Sequence, residues 1–495
     1  CNEKPEVPYD GCISTCEHSC EKVTADANRD AFIEFDYIHD NIINKTEADG
    51  IIAYTELNVA IPRYQIYNGK ATFNQLGGEL AAPKLGTNGT DDPVWISVNG
   101  NHERNEIILG VEDRSNDLNV FRYNTTSQWT NISNGISELS VNTATASSRA
   151  FDIAVEDVSG DVLIVWENST DLDVNVSYGV WNGATFTPGR MNLSLNGVQN
   201  ASAINASIIT WVQLVPRPGS DEIMILMANQ YGSLFGILWN GTGFDLTTNK
   251  TIIISMGATV NPTFAFAWEK SGDGLVVYRN QSAMYHQIYR KSTAPYWSNT
   301  SDVNAIIGTD TPKTVELCAD LNSDYIGLIW QDTGADNSAE MWTGSNFTAK
   351  LTEDALSEPS GGSSTVGADS NVGCAFDNNS IALFGTIDSG ALTMGYFNYT
   401  VATAAFSTTT LLGTSLKQTW AFASDDIESL QFISHPTNHK IAIVAQDLAD
   451  DVTMVVFNTS NFSAPYSAKP IEASEEVLDG LTEGAYFDWF SYDPI

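Results

Sequence analysis

The chain repeats one pattern of apolar and polar residues at intervals close to 56 residues. In each copy an apolar run ends in an aromatic residue and is followed by residues that favour a turn. The aromatic residue recurs eight times with spacings of 50 to 60 residues, at Tyr67, Tyr123, Trp181, Trp239, Tyr289, Trp342, Phe397 and Phe457. A period of this length is typical of a propeller or a solenoid.

The third copy shows the repeat unit most clearly. Apolar runs at residues 151–155 and 162–166 are separated by a Ser-Gly-Asp turn, and an alternating run at 174–180 leads to Asn182-Gly183 and a short fourth run. Asn-Gly between alternating apolar runs predicts a hairpin in which both turn residues have positive φ. Each unit is therefore predicted to be a four-stranded antiparallel meander.

The second run of each unit is the most apolar. Such runs lie at Ile51–Leu57, Ile107–Val111, Val162–Trp166, Ile223–Ala228, Leu275–Tyr278, Ile326–Trp330, Ile381–Phe384 and Ile441–Ala445. A strand with little alternation is typical of one buried on both faces. This favours sheets that pack face to face.

The first runs number only seven. They lie near Val94–Val98, Phe151–Val155, Ile208–Leu214, Phe264–Trp268, Val315–Cys318, Val372–Phe376 and Leu430–Ile433. The first unit lacks its own, and a lone strand-like run at Tyr486–Phe490 follows the last unit. We therefore predict an all-β chain, with an N-terminal arm at residues 1–50 and an eight-bladed β-propeller at 51–495, closed by the C-terminal strand. Closure removes exposed sheet edges.

This architecture resembles the broad class of β-propeller cell-surface proteins over nearly the whole chain. The resemblance lies in the repeat itself, since the Gly-His and Trp-Asp marks of WD40 blades are lacking. It implies the fold and carries over no functional residue.

The chain is strongly acidic, with 61 acidic and 23 basic residues and a formal net charge of -38. Such a surface repels nucleic acid and anionic lipid. Acidic residues recur where first or second runs end, at Glu112, Asp113, Glu156, Asp157, Asp332, Asp447, Asp450 and Asp451. These loops either bind Ca²⁺, which needs six to eight oxygen ligands, or simply solvate turns.

Asn-x-Ser/Thr sequons indicate the compartment. Eighteen such sites lack a central Pro, at Asn44, Asn88, Asn124, Asn131, Asn168, Asn175, Asn192, Asn200, Asn205, Asn240, Asn249, Asn280, Asn299, Asn346, Asn378, Asn398, Asn458 and Asn461. They predict an N-glycosylated extracellular protein. Asn124, Asn240, Asn398 and Asn458 directly follow the repeat aromatic, so we expect them in turns leading to the outermost strand. With few cysteines and few Lys and Arg, this composition favours an archaeal surface.

The predicted arm contains four cysteines: Cys1, Cys12, Cys16 and Cys20. They could form two disulfides in an oxidising compartment. Alternatively, Cys1 carries a lipid anchor, as in processed lipoproteins, and leaves one thiol over. Metal binding by Cys12, Cys16 and Cys20 with His18 is a third interpretation, although a second zinc knuckle is lacking.

The other two cysteines, Cys318 and Cys374, are 56 residues apart, one repeat. They occupy nearly equivalent points of first runs in adjacent units, so a disulfide between blades is geometrically possible. Two buried free thiols are the alternative. Residues 31–37 alternate like a strand without a place in the predicted ring, and are expected to pack on it or to pair with another molecule.

Three classes of function follow. The main hypothesis is a structural or adhesive surface glycoprotein that self-associates through the arm or the propeller faces. A subunit of a surface layer or of an extracellular filament is one form that such a protein takes. The alternative is a secreted propeller that binds polysaccharides or cell-surface glycans. A glycan-processing hydrolase is least supported, because no G-x-S-x-G, H-E-x-x-H or phosphate-binding Gly motif occurs. We expect no enzyme activity, and membrane contact only through a lipid on Cys1.

Overall fold

The computed structural model describes the central part of the chain most completely. The described residues are 35–36, 50–54, 63–67, 73–74, 93–101, 103–104, 106–113, 117–124, 128–132, 140–141, 149–167, 175–192, 208–254, 256, 263–303, 311–332, 337–351, 372–388, 393–407, 410–412, 427–434, 439–447, 452–459 and 466–470. The remaining residues are left aside below.

The described strands form eight antiparallel sheets that follow one another along the chain. Sheet 1 contains β1 (Phe35–Asp36), β2 (Gly50–Tyr54), β3 (Arg63–Tyr67) and β4 (Phe73–Asn74). Sheet 2 contains β5 (Pro93–Asn101), β6 (Glu106–Asp113), β7 (Asp117–Asn124), β8 (Gln128–Asn131) and β9 (Ser140–Val141). Sheet 3 contains β10 (Phe151–Val155), β11 (Val162–Glu167), β12 (Asn175–Trp181) and β13 (Phe186–Asn192). Sheet 4 contains β14 (Ile209–Pro216), β15 (Ile223–Asn229), β16 (Leu234–Trp239) and β17 (Phe244–Ile253).

The second half of the chain continues the series. Sheet 5 contains β18 (Phe264–Trp268), β19 (Gly274–Asn280), β20 (Ala283–Tyr289) and β21 (Ser301–Asp302). Sheet 6 contains β22 (Pro312–Ala319), β23 (Ile326–Asp332), β24 (Asn337–Trp342) and β25 (Phe347–Leu351). Sheet 7 contains β26 (Val372–Phe376), β27 (Ile381–Asp388), β28 (Thr393–Thr400), β29 (Ala405–Phe406) and β30 (Thr410–Leu412). Sheet 8 contains β31 (Ile427–Ser434), β32 (Lys440–Asp447), β33 (Val452–Asn458) and β34 (Tyr466–Pro470).

Each sheet is a meander in which four consecutive strands pair in chain order. The short strands β9 and β30 add to β7 and β28. First strands of successive sheets pack side by side in the order β1, β5, β10, β14, β18, β22, β26 and β31. Consecutive meanders packed through their first strands are the arrangement of a β-propeller. The all-β prediction and the seven predicted first strands are confirmed.

The second strands are buried on both faces, as their unbroken apolar runs predict. All side chains of β6, β11, β15 and β23 are buried. The core consists of apolar layers between neighbouring sheets. In one layer Leu163 and Val165 of sheet 3 lie in the same cluster as Ile223 and Ile225 of sheet 4. Burial of this apolar area is the main stabilisation of the fold.

Sheet 1 corrects one expectation. Residues 31–37 were expected to lie outside the ring, yet Phe35 pairs with Ile52 and Asp36 with Ile51. β1 therefore occupies the place beside β2 that the sequence assigned to the C-terminal strand, and a connection of 13 residues between β1 and β2 is long enough for this antiparallel pairing. Residues 486–490 lie outside the described residues.

The Asn-Gly turns differ from the predicted two-residue hairpin. Between β12 and β13 four residues form the turn, and Gly183 has φ of 86° whereas Asn182 is not among the residues with positive φ. Asn182 instead accepts hydrogen bonds through Oδ1 from the backbone N–H groups of Ala184, at 3.0 Å, and Thr185, at 2.9 Å. The glycine thus supplies the left-handed residue and the asparagine side chain closes the turn.

Three of the repeat tryptophans bridge neighbouring sheets through their indole N–H groups. Each Nε1 donates to a buried glutamate of the preceding sheet. The pairs are Trp181 with Glu106 at 3.3 Å, Trp239 with Glu156 at 2.6 Å, and Trp342 with Glu269 at 2.7 Å. A buried indole N–H needs such a partner, so each of these tryptophans both fills the core and links its sheet to the preceding one.

We expect that removing β1 destabilises the protein. A chain starting at residue 46 lacks the backbone hydrogen bonds that β1 donates to and accepts from β2, each contributing about 1 kcal/mol. Its melting temperature, measured by circular dichroism, should lie below that of a matched chain starting at residue 31. Equal melting temperatures would show that β1 contributes nothing to sheet 1.

Burial raises the pKa of Glu156 from 4.5 to about 7, against hydrogen bonds from Ser159 and Trp239 that lower it. Burial likewise raises the pKa of Glu167 to about 7, against a backbone hydrogen bond from Ile209. The folded state therefore keeps these protons at a pH where the unfolded chain loses them. This contribution to stability is complete below about pH 4.5 and is lost as the pH rises through 7.

Glu156→Gln and Glu167→Gln should weaken this pH dependence, because glutamine keeps a hydrogen-bond acceptor without titrating. We expect the melting temperature of the double variant to fall less between pH 5 and 7.5 than that of the wild type. The difference between the two curves also removes the effect of the chain's overall negative charge. Parallel curves would contradict the assigned pKa shifts.

Candidate functional site

Polar side chains recur at one register of the otherwise apolar first strands. Ser97, Asp152, Gln213, Glu316 and Gln431 pair across to the second strands at Gly110, Val165, Leu226, Ile329 and Val444. We call these five residues the first-strand polar row. Sheets 5 and 7 have Ala265 and Gly373 at this register. Gln213, Glu316 and Gln431 are half-buried, so the row meets solvent where the first strands lie side by side.

Three neighbouring first strands converge at Arg149 and Asp152. Arg149 Nη2 donates to Asp152 Oδ1 at 2.8 Å, and Ser97 Oγ of sheet 2 donates to the same oxygen at 3.1 Å. The other oxygen, Oδ2, accepts from the backbone N–H of Leu214 in sheet 4 at 2.7 Å. Since both carboxylate oxygens are occupied, Asp152 holds Arg149 in place rather than binding a ligand itself.

Two buried tryptophans of one core cluster lie on the neighbouring first strands. Trp95 of β5 and Trp211 of β14 meet edge to face, with ring centroids 5.5 Å apart. Gln213, two residues after Trp211, has a buried Oε1 for which the described residues provide no hydrogen-bond partner. We define the Arg149 cluster as Trp95, Ser97, Arg149, Asp152, Trp211 and Gln213. Its half-buried members Arg149 and Gln213 provide a guanidinium and an amide, which suit a ligand with hydroxyl groups, whereas both tryptophans are buried beneath them in the core cluster.

The recurrent acidic residues have a structural role at several sites. The second strands β6, β15, β19, β23, β27 and β32 each end in Asp or Asn. Asp113 accepts the backbone N–H of Asp117 at 3.1 Å, and Asn229 accepts those of Tyr231 and Ser233. These side chains close the loop after the second strand, as Asx turns do.

The Ca²⁺ interpretation stays a prediction. In the described part of the chain, no three His, Cys, Asp or Glu side chains form a group able to hold a metal ion. Glu112, Asp113, Glu156 and Asp332 are buried there. Asp157 binds the backbone N–H of Gly219, Asp447 ends β32, and Asp450 and Asp451 lie outside the described residues.

The sequon asparagines lie on several parts of the sheets. Asn240, Asn299, Asn346 and Asn378 are exposed, and Asn124, Asn131, Asn249, Asn280 and Asn398 are partly exposed. Asn175, Asn192 and Asn458 lie at strand ends. Asn44, Asn88, Asn168, Asn200, Asn205 and Asn461 are outside the described residues.

The expected turn position is confirmed for Asn240, which lies between β16 and β17. It is wrong for Asn398, which lies inside β28, with the turn at residues 401–404. β28 runs beyond Phe397 because Tyr399 is also fully buried and extends the apolar pattern. Asn124 and Asn458 are the last residues of β7 and β33.

Cys318 and Cys374 form a disulfide between sheets 6 and 7, with the Cα atoms 5.7 Å apart. This confirms the predicted link between first strands and excludes the free-thiol alternative. Cys1, Cys12, Cys16 and Cys20 lie outside the described residues. No helix among the described residues has the length and apolarity required to span a membrane.

Sequence reasoning missed the Arg149 cluster. The available signal was a single polar residue in the middle of an apolar first run, repeated at the same place in five units. Whether these polar residues form a cluster depends on which first strands lie next to one another. The repeat period alone does not show which of their side chains are in contact.

No protein-family model matches this chain, and no curated protein matches it in sequence. Solved β-sheet structures are similar at a low level. The BP39L lectin of Burkholderia pseudomallei has 10% identity and a TM-score of 0.44, covering 76% of this chain and 98% of that one. An Aleuria aurantia lectin bound to Fucα1-6GlcNAc has 12% identity and a TM-score of 0.37, covering 65% and 96%. A puromycin hydrolase has 9% identity and a TM-score of 0.43, covering 77% and 53%.

Similarity at this level assigns neither a ligand nor an activity to this chain.

Asp152→Ala should destabilise the protein by about 3–5 kcal/mol, because it leaves the Arg149 charge largely buried and unpaired. The double variant Arg149→Met/Asp152→Ala should lose less than the sum of the single changes, with a coupling of about 1–3 kcal/mol in urea unfolding. The Arg104 and Asp161 pair, which is more exposed, serves as a control with coupling below about 1 kcal/mol. Additive effects at Arg149 and Asp152 would contradict their pairing.

Proposed function

We propose that this chain is an extracellular, N-glycosylated β-propeller that binds carbohydrate at the Arg149 cluster and acts as an adhesive protein at a cell surface. The proposal includes eight blades closed into one ring. The observation that carries it is the convergence of three first strands around a fixed guanidinium, with a half-buried amide on one of these strands.

The compartment is inferred from two features. The disulfide between Cys318 and Cys374 needs an oxidising environment to persist. Sequon asparagines at Asn240, Asn299 and Asn346 are exposed, as acceptors of a bulky sugar must be. Both features are expected of a secreted or surface protein. An archaeal source stays a prediction from composition.

Carbohydrate is favoured as ligand by the chemistry of the cluster. Sugar hydroxyl groups both donate and accept, and so match the Gln213 amide and the Arg149 guanidinium. The half-buried Arg149 and Gln213 are the members through which such a ligand would reach the cluster.

This proposal takes binding, rather than catalysis, as the activity. The Asp152 carboxylate accepts four hydrogen bonds, from Ser97, Arg149 and the backbone N–H groups of Ile153 and Leu214, so it serves as a structural group rather than as an acid or base. The surface-layer or filament role and self-association through the arm stay predictions from the sequence.

Gln213→Ala should weaken carbohydrate binding about tenfold, equivalent to about 1.4 kcal/mol, because one amide donor and acceptor is lost. The wild type is first applied to an array of immobilised oligosaccharides, and the strongest ligand is then titrated by calorimetry. Tyr231→Ala is the control, since Tyr231 is an aromatic side chain that is 59% exposed in a different loop.

Loss of binding in Tyr231→Ala with full binding in Gln213→Ala would place the site elsewhere. Absence of any binding on the array would overturn the carbohydrate proposal. Circular dichroism of both variants separates lost binding from lost folding.

A further inference from the structure

The turn between β12 and β13 contains an exposed Asn-Gly pair with an unusual environment. Gly183 has φ of 86° and carries no Cβ beside the Asn182 side chain. Asn182 Oδ1 accepts hydrogen bonds from the N–H groups of Ala184 and Thr185, at 3.0 and 2.9 Å, and from the Thr185 hydroxyl at 3.2 Å. These bonds fold the amide forward over the peptide bond that joins Asn182 to Gly183, as in an Asx turn.

The folded amide lies next to a group that can attack it. In the described part of the chain, neither the Gly183 N–H nor the Asn182 Nδ2 group makes a hydrogen bond. The Gly183 nitrogen is therefore available as a nucleophile toward Asn182 Cγ, and the turn holds the two groups together. The donors on Oδ1 lie where negative charge develops when Cγ is attacked, as the donors of an oxyanion hole do.

From this geometry we infer that the Asn182-Gly183 turn promotes its own deamidation, which makes Asn182 a site of spontaneous modification in the folded protein. The Gly183 nitrogen loses its proton and forms a bond to Asn182 Cγ, while the bond from Cγ to Nδ2 breaks. Nδ2 takes up a proton and leaves as ammonia, so a succinimide remains. Water then opens the succinimide at either carbonyl and yields aspartate or isoaspartate.

A second Asn-Gly pair shows what the turn adds. Asn99 and Gly100 lie inside β5, where they pair with Ile108 and Ile107 of β6. Asn99 is half-buried, and its Nδ2 donates to Ser97 Oγ at 3.4 Å. Its amide is thus directed toward the preceding residues and away from Gly100. The two pairs share one intrinsic chemistry and differ in the structure around them.

The turn between β16 and β17 repeats the arrangement of the Asn182 turn. Asn240 Oδ1 accepts from the N–H groups of Thr242 and Gly243, at 3.1 and 3.0 Å, and Gly241 has φ of 85°. Asn240 belongs to a sequon, whereas Ala184 stands where Asn182 would need Ser or Thr. The inference at Asn182 is therefore independent of the proposed glycosylation.

Modification at Asn182 would act on the contact between sheets 2 and 3. Arg104 of sheet 2 donates through Nη2 to Ser159 O at 3.0 Å and through Nη1 to Trp181 O at 3.4 Å. Its Cδ lies 3.2 Å from the place that a Cβ on Gly183 would take. Isoaspartate adds a backbone atom between Trp181 and Gly183, so it displaces the carbonyl and the glycine that Arg104 contacts.

The test stores the full chain at neutral pH, once folded and once in urea, and maps aspartate and isoaspartate at positions 182 and 99 by peptide mass spectrometry. In the folded chain we expect conversion at position 182 to be at least about tenfold faster than at position 99, equivalent to about 1.4 kcal/mol in the barrier. In urea the two rates should be similar. Position 182 should also react faster in the folded chain than in urea.

Asn182→Thr is the matched variant, because the equivalent turn of sheet 6 has Thr343, whose Oγ1 donates to Asn346 O at 3.1 Å. Threonine cannot deamidate, so the melting temperature of the stored variant should fall less than that of the stored wild type. An equal fall in both would refute the effect on sheets 2 and 3. Conversion at position 182 that is no faster in the folded chain than in urea, or no faster than at position 99, would overturn the inference.

Discussion

The structure depends on packing between neighbouring sheets, because the second strands of sheets 2, 3, 4 and 6 are apolar and buried on both faces. A single four-stranded meander of this kind would leave its second strand, buried throughout in β6, β11, β15 and β23, in contact with water. Burial of apolar area is non-directional, so it brings sheets together without fixing their relative position. Directional interactions must therefore set how one sheet lies on the next.

Those directional interactions occur at two levels of the sheets. Near the turns between first and second strands, the indole N–H groups of Trp239 and Trp342 reach the carboxylates of Glu156 and Glu269 in the preceding sheet. On the first strands, Asp152 joins three sheets through hydrogen bonds, and a disulfide joins sheets 6 and 7. The hydrogen bonds pair buried polar groups, and the disulfide has a narrow range of allowed Cα separations. Both therefore tolerate little displacement of one sheet relative to the next.

The first strands and the outer strands of the sheets differ in the groups that they bring together. The first strands bring side chains of three successive sheets within hydrogen-bond distance, so a ligand site assembled there draws on distant parts of the sequence. The outer strand β17 instead accepts hydrogen bonds at its backbone from Gln287 and Trp297 of the next sheet, so it serves packing between sheets. Binding is accordingly proposed at the first strands.

The sequence by itself determined the repeat, the meander and the seven first strands, because alternation and apolar runs are local consequences of strand burial. It also indicated the link between Cys318 and Cys374, since the repeat period relates their positions. It did not predict that Phe35 and Asp36 pair beside β2, because an alternating run does not specify which sheet edge it joins. The Asn182-Gly183 turn and the position of Asn398 were likewise decided by side-chain hydrogen bonding and by burial of Tyr399.

The contacts of the Arg149 cluster could not be predicted from the recurring polar residue alone, because Asp152 is more than 50 residues from both Ser97 and Leu214 along the chain. Periodic patterns report which residues share a strand or a face. They do not report which side chains of separate sheets meet, since that depends on how the sheets pack in three dimensions.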